Sequence, residues 1–302
     1  MERHSCAFHS FVHLSVLTLQ SLLVAAVVGA LAGTHAAIWG MYKDSIYEGF
    51  DTSTFVRSMI VGTVAAISLQ IVLRLALPEP AALVVLFGLA YAAERGIVEV
   101  WKTFIRDEDQ SKFFIPMAFS IRGVPVASRT ARLAAGIGYM IVAGVVLLAI
   151  AQLDRGVPGP PTLPKSAFAG LVVGLIVAIG GAWKDAPKEG FHVMKFFRSP
   201  SMTIACALGL SLLTDSYLHA AVAAIGYERA AVETYKTFLA SEAAPGKFTG
   251  KAERYPEMRR HRRRAVPVFV GILVVVLVTV AIAARGQLGA PAAAIDARDS
   301  RR

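Results

Sequence analysis

Eight apolar runs decide what this chain can fold into. They lie near 16–41, 57–77, 81–103, 133–153, 166–183, 199–216, 218–238 and 266–284. Helices of roughly 18 to 25 such residues cover the hydrocarbon thickness of a bilayer. Water is absent there, so each run must close its own backbone hydrogen bonds, and a helix is the shape that does so. At 55% hydrophobic and 17% charged residues, the composition lies outside that of soluble domains. The expected fold class is therefore an all-α integral membrane protein with about eight transmembrane helices. The first run is long, lacks a small-residue cleavage site and ends in a charged motif, so it reads as a span rather than a signal peptide. Cys6 and Cys206 make neither a disulfide framework nor a zinc site, and Cys206 reads as a packing residue.

Two charged patterns each occur twice. Lys43-Asp44-x3-Glu48-Gly49-Phe50-x4-Phe55-x-Arg57-Ser58 returns 141 residues later as Lys184-Asp185-x3-Glu189-Gly190-Phe191-x4-Phe196-x-Arg198-Ser199. Glu94-Arg95-x2-Val98-Glu99-x2-Lys102-Thr103-Phe104 returns 134 residues later as Glu228-Arg229-x2-Val232-Glu233-x2-Lys236-Thr237-Phe238. The matching positions are mostly charged, glycine or aromatic, while the apolar stretches between them differ. That contrast marks the positions that matter. The two least apolar spans, 81–103 and 218–238, rest on this repeat as much as on hydropathy.

The expected organisation is a tandem duplication of two parallel four-helix repeats. Residues 1–153 form the first and 166–284 the second, joined by a Pro/Gly-rich connector at 154–165 and followed by a disordered tail at 285–302. Four spans separate corresponding elements, so both halves share one orientation and a pseudo-twofold axis runs along the membrane normal. The long polar loops 105–131 and 239–263 have room for interfacial helices.

Sidedness follows from the basic residues. The face bearing the loops 42–56, 104–132, 184–198 and 239–265 holds 23 of the 31 Lys and Arg, so it is expected to be cytoplasmic, with both termini on the other side of a plasma (inner) membrane. The cluster Arg259-Arg260-His261-Arg262-Arg263-Arg264 serves as a topology anchor or as a patch for anionic headgroups. The net charge of +10 is thus taken up by orientation. Expected partners are membrane lipids, anionic headgroups among them, and not nucleic acid; self-association stays open.

The Glu-Arg pattern lies inside a span. Counted from Pro80, Glu94 is roughly 21 Å along the helix, below the headgroups. Taking Glu94 as the origin, Lys102, Arg95 and Glu99 fall near roughly 80°, 100° and 140°, which makes one polar stripe. Glu94, Glu99, Glu228 and Glu233 are the intramembrane polar candidates. At about 2.5–3.5 kcal/mol per charged group in hydrocarbon, the stripe must face protein or water. Pairing of Arg95 with Glu99 and of Glu99 with Lys102 would make it a helix staple, although buried ion pairs seldom outperform apolar packing.

The Lys-Asp pattern lies at the boundary. Asp44 and Glu48, like Asp185 and Glu189, are spaced i,i+4, so each pair points one way and could share a cation. Oxygen ligands of this kind suit Mg²⁺. Lys43, Arg57, Arg95, Lys102, Lys184, Arg198, Arg229 and Lys236 are the candidate substrate-binding cations, suited to phosphate oxygens. The competing reading is an interfacial belt of snorkelling lysines with Tyr42, Phe50, Trp183 and Phe191 as aromatic anchors. His35, His192 and His219 have no matching copies and read as ordinary polar contacts. No catalytic triad order, zinc spacing, Walker loop or dinucleotide fingerprint is present.

Asp185-x3-Glu189 followed by Arg198-Ser199-Pro200 resembles in part the acidic loop motif of UbiA-type intramembrane prenyltransferases. It departs from that motif in lacking the Asn-Asp-x2-Asp opening and in having Glu where Asp is usual. What the resemblance implies is a lipid-diphosphate site. Three functions remain open from the sequence: binding or chemistry on a lipid-linked phosphate or diphosphate with Mg²⁺, transport along a path lined by the Glu-Arg stripes, and a structural role in a membrane complex.

Overall fold

The computed structural model describes residues 17–155, 161–239, 248 and 250–288. Eight long helices carry the fold among them: α1 (Leu19–Glu48), α2 (Thr52–Leu73), α3 (Pro80–Val100), α4 (Arg129–Ala151), α5 (Leu163–Glu189), α6 (Val193–Leu210), α7 (Tyr217–Thr234) and α8 (Met258–Leu288). The chain is an all-helical membrane protein. Six helices are long and apolar enough to cross a bilayer: α1, α2, α3 with its following turn, α4, α5 and α8. The other two, α6 and α7, are 18 residues each and carry charges.

Local chemistry sets the ends. Thr18 and Ser21 form a reciprocal capping box at α1, and the Asp51 carboxylate caps α2 by accepting from the Ser53 N–H. Pro80 begins α3 where no N–H is needed. Ser128 and Ser216 cap α4 and α7 through their hydroxyls. Helices α1 and α5 overrun the predicted spans by several residues, α5 continuing through Pro187, and end only at Gly49 and Gly190. Those glycines stop the helices at φ 84° and φ 83°, where a side chain is disfavoured. Asp44, Glu48, Asp185 and Glu189 therefore lie on helix, not loop.

Two π turns, Trp101–Ile105 and Tyr235–Leu239, extend α3 and α7. Beyond the first, the loop holds a short 3₁₀ turn and a two-stranded antiparallel hairpin, β1 (Ser120–Ile121) with β2 (Val124–Pro125), where an interfacial helix had room. The central part of the connector, 156–160, the stretch 240–247 and the tail from 289 onward lie outside the described residues.

Three helix pairs pack backbone to backbone. On α1, Gly29 and Gly33 face Gly62 and Ser58 of α2; on α5, Gly170 and Gly174 face Thr203 and Pro200 of α6. At the centre Gly88 of α3 meets Gly226 of α7, where a Cβ on Gly226 would strike the Gly88 carbonyl. Small residues allow this approach, which suits helices in a bilayer. The outer helices lean on the opposite half. Ile272 and Val276 of α8 join a cluster with Ala32, Ala36, Leu86 and Ala90 of α1 and α3, while Val146 and Ile150 of α4 pack with Ala169, Val173 and Ala221 of α5 and α7. Asp154 ties the connector to α7 by accepting from the Tyr217 N–H at 2.7 Å and the Ser216 hydroxyl at 2.9 Å.

Candidate functional site

The α3–α7 pair presents both Glu-Arg patterns, and the last turns of α1 and α5 bring the Lys-Asp patterns against them. Glu233 on α7 is only 2% exposed and is ringed by three cations: Lys43 of α1 at 3.0 Å, Lys236 at 3.2 Å and Arg229 at 3.6 Å. Glu99 on α3 is ringed by Arg95 at 3.5 Å, Lys102 at 3.6 Å and Lys184 of α5 at 3.7 Å. The two arrangements use residues 134 and 141 apart in the sequence, and in each the lysine comes from the other half. The stripe's internal pairs form as its spacing requires. The cross-half lysines are what spacing within one helix cannot show.

The two rings differ in access. Beside Glu233, Trp39 fills the space, with Lys43 and Arg95 each 5.1 Å from its ring centre. Its indole N–H donates to the Tyr91 hydroxyl. The Tyr91 hydroxyl also lies 3.0 Å from His35 Nδ1, so it links the indole to the imidazole. His35 stacks on Phe269 of α8 at 4.0 Å, and Phe269 on Phe238 at 4.3 Å. Aromatic rings thus seal this side between α1 and α8. The difference lies in the carboxylates: Glu99 is 47% exposed and Glu233 2%, whereas the cations of both rings are partly covered, from Arg95 at 9% to Arg229 at 31%.

Glu94 and Glu228 lie deeper, both fully buried. Glu228 accepts from the Ser199 hydroxyl at 2.7 Å. Glu94 has Arg95 Nε at 3.3 Å, yet neither of its oxygens has a hydrogen-bond partner among the described residues. Of the remaining cations, Arg57 stacks on Trp101 at 4.9 Å, with Arg106 at 5.4 Å from the same ring. Arg198 lines an open groove of about 580 Å³ with Met194, Lys195, Phe197 and Ser201.

The acidic pairs are placed as the i,i+4 spacing implies, but the second already holds a cation. Lys195 of α6 lies 3.4 Å from Asp185 and 2.5 Å from Glu189. Asp44 has Lys43 at 4.0 Å. Among the described residues no group of three or more His, Cys, Asp or Glu side chains is gathered as a metal would need.

Sequence reasoning missed Trp39, Tyr91 and Lys195; it named His35 as an ordinary polar contact and Ser199 only as a repeated position of the motif. A signal for Trp39 was present: His35, Trp39 and Lys43 are spaced i,i+4 on one face of α1, so the stripe that ends in the charged motif passes through it. His219 and Cys206 hold no ligand-like grouping in the structure, and His192 has its ring nitrogen near the Glu189 carbonyl. No known protein family matches the chain, and neither a curated protein nor a solved structure matches it.

Proposed function

We propose that the chain is a duplicated, eight-span membrane protein that binds, or acts on, a lipid carrying a phosphate or diphosphate at the cytoplasmic side of the bilayer. One observation carries this reading. Eight cations, Lys43, Arg57, Arg95, Lys102, Lys184, Arg198, Arg229 and Lys236, gather about the five carboxylates Asp44, Glu94, Glu99, Glu228 and Glu233, an excess of three positive charges at the junction of the halves. Groups at such depth need compensation, and an anion supplies it. The paired geometry of the rings, the two π turns 134 residues apart and the glycine stops 141 residues apart support the duplication. A divalent cation accompanying a diphosphate would have Asp44, Glu48, Asp185 and Glu189 as oxygen donors, in competition with Lys195 at the second pair.

The test is binding by the purified full chain in detergent. Phosphatidic acid should stabilise the fold against heat and phosphatidylcholine should not, with the effect lost in Arg95→Gln/Arg229→Gln. Equal response to both lipids would refute the reading. A second reading, transport along a charged path, is favoured by Glu94, a fully buried carboxylate with Arg95 Nε at 3.3 Å inside the α3–α7 pair. In vesicles, ion flux abolished by Glu94→Gln would support it.

A further inference from the structure

Resting on the phosphate-lipid reading, we infer that the lipid headgroup docks at the basic end of α6, in the groove that Arg198 lines, with its acyl chains against Met194 and Phe197. The groove holds about 580 Å³ and is bounded by Met194, Lys195, Phe197, Arg198 and Ser201. That volume lies within the range of about 300–1,000 Å³ that ligand sites occupy. Met194, Phe197, Arg198 and Ser201 are spaced i, i+3, i+4 and i+7, so one face of α6 presents them, with Lys195 at its edge. Arg198 is the charge left for a ligand. Its Nε is shielded from water and has no hydrogen-bond partner among the described residues, and none of their carboxylates forms an ion pair with it. A shielded guanidinium nitrogen costs stability until an acceptor reaches it. Lys195, by contrast, is already shared by Asp185 and Glu189, and the Ser201 hydroxyl donates to the Phe197 carbonyl at 2.9 Å.

The first half builds the corresponding face differently. Counting back 141 residues puts Ser53, Thr54, Val56, Arg57 and Ile60 of α2 at these positions. Ser53 and Thr54 give their hydroxyls to the Asp51 carboxylate, and Arg57 lies 4.9 Å from the ring centre of Trp101, with Arg106 at 5.4 Å from the same ring. In the second half Tyr235 stands at the position of Trp101 and is 60% exposed, and position 240, the counterpart of Arg106, is Ala. The repeated arginine is therefore set against an indole in one half and against a groove in the other. What that groove offers selects its occupant. Arg198 has Lys236 within electrostatic reach, so this end of α6 attracts an anion, and a guanidinium can donate to two phosphate oxygens at once. The rim selects a lipid. Met194 is 85% exposed and Phe197 53%, an apolar surface that acyl chains cover and water does not. Arg198 lies about 8 Å along α6 from Val193, from where its long side chain can extend to the level of the phosphates while its stem stays among apolar groups.

The experiment measures phosphatidic acid bound to the full chain in detergent by native mass spectrometry, with phosphatidylcholine and inorganic phosphate as competing arms. Wild type should bind phosphatidic acid, and Arg198→Gln should weaken that binding by at least about tenfold. Ser201→Trp, which fills the groove and leaves every charge in place, should weaken it as much. Neither competitor should displace the lipid at equal concentration. Met194→Cys, made in a chain carrying Cys6→Ser and Cys206→Ala, keeps the test decisive should the tryptophan variant not fold: phosphatidic acid should shield the new thiol from a water-soluble maleimide. Unchanged affinity in Arg198→Gln or in folded Ser201→Trp, no shielding in Met194→Cys, or inorganic phosphate competing as strongly as the lipid would each overturn the α6 site while leaving phosphate recognition elsewhere in the chain standing. No binding of phosphatidic acid to wild type, or equal competition by phosphatidylcholine, would instead overturn the reading on which it rests.

Discussion

The same substitution made at two corresponding positions should have unequal effects. Replacing Glu233 with Gln removes the negative charge from a ring of three cations at 3.0–3.6 Å in a site only 2% exposed. Lys43 is only 15% exposed and is held against Trp39, so little water replaces what is lost there. Removing one partner of an enclosed ion pair costs about 3–5 kcal/mol. Glu99→Gln removes the same charge from three cations at 3.5–3.7 Å, but the site is 47% exposed, so solvent and counterions take over. Exposed pairs are worth about 0–1 kcal/mol. At roughly 2–4 °C per kcal/mol for a chain of this order of size, Glu233→Gln should lower the apparent Tm by roughly 6–20 °C, and Glu99→Gln by no more than about 4 °C. Thermal unfolding in detergent followed by intrinsic fluorescence measures both. Equal losses would refute the asymmetry, and a larger loss at Glu99 would reverse it.

At the central crossing, Gly226→Ala places a methyl against the Gly88 carbonyl and 3.1 Å from the Ala92 nitrogen, so α3 and α7 must part; a loss of about 1–3 kcal/mol is expected by thermal unfolding, with no loss at all counting against the close approach. The hydroxyls of Thr54 and Ser53, with the Ser53 N–H, hold the Asp51 carboxyl below the usual carboxylate range. A depressed folded value means that this cap's contribution is present above the unfolded pKa of about 3.9 and fades as pH falls through the lower folded value. Asp51→Ala should therefore destabilise at pH 7 and lose less than wild type on acidification, a difference read from paired melting curves at pH 7 and below pH 4. Mg²⁺ should stabilise Lys195→Met more than wild type, because the ammonium between Asp185 and Glu189 is gone; a site saturated a hundredfold over Kd adds about 2.7 kcal/mol. Equal shifts would remove those carboxylates from consideration as a metal site.

Much of the helical plan was legible because two signals coincide. Apolar length locates α1 to α5 and α8, and helix spacing puts Glu94, Arg95, Glu99 and Lys102 on one stripe. What spacing cannot convey is which helix faces that stripe. Lys43 meeting Glu233, and Lys184 meeting Glu99, depend on a tertiary crossing set by Gly88 and Gly226, and one helix's periodicity contains no trace of its neighbour. Lys195 escaped notice for a related reason: it lies 10 residues from Asp185 across the Gly190 turn, a distance that reads as loop until the turn folds it back. Trp39 resembled an ordinary apolar residue of a span, and only its cationic neighbours reveal otherwise. Helix boundaries moved outward at Glu48 and Glu189, since charge density suggests a loop whereas a helix continues until a residue such as glycine lets it stop.

The exchange of lysines also bears on synthesis. Glu233 receives its Lys43 partner from 190 residues upstream, and Glu99 must wait for Lys184. While the ribosome is still making the second half, Lys43 has only Asp44 beside it and Glu99 only Arg95 and Lys102 of its own helix. Each half is thus a dependent fragment, and a chain that stalls at the connector presents charges that membrane quality control can recognise. The two halves produced as separate polypeptides in one cell would protect one another from degradation, and neither would accumulate alone.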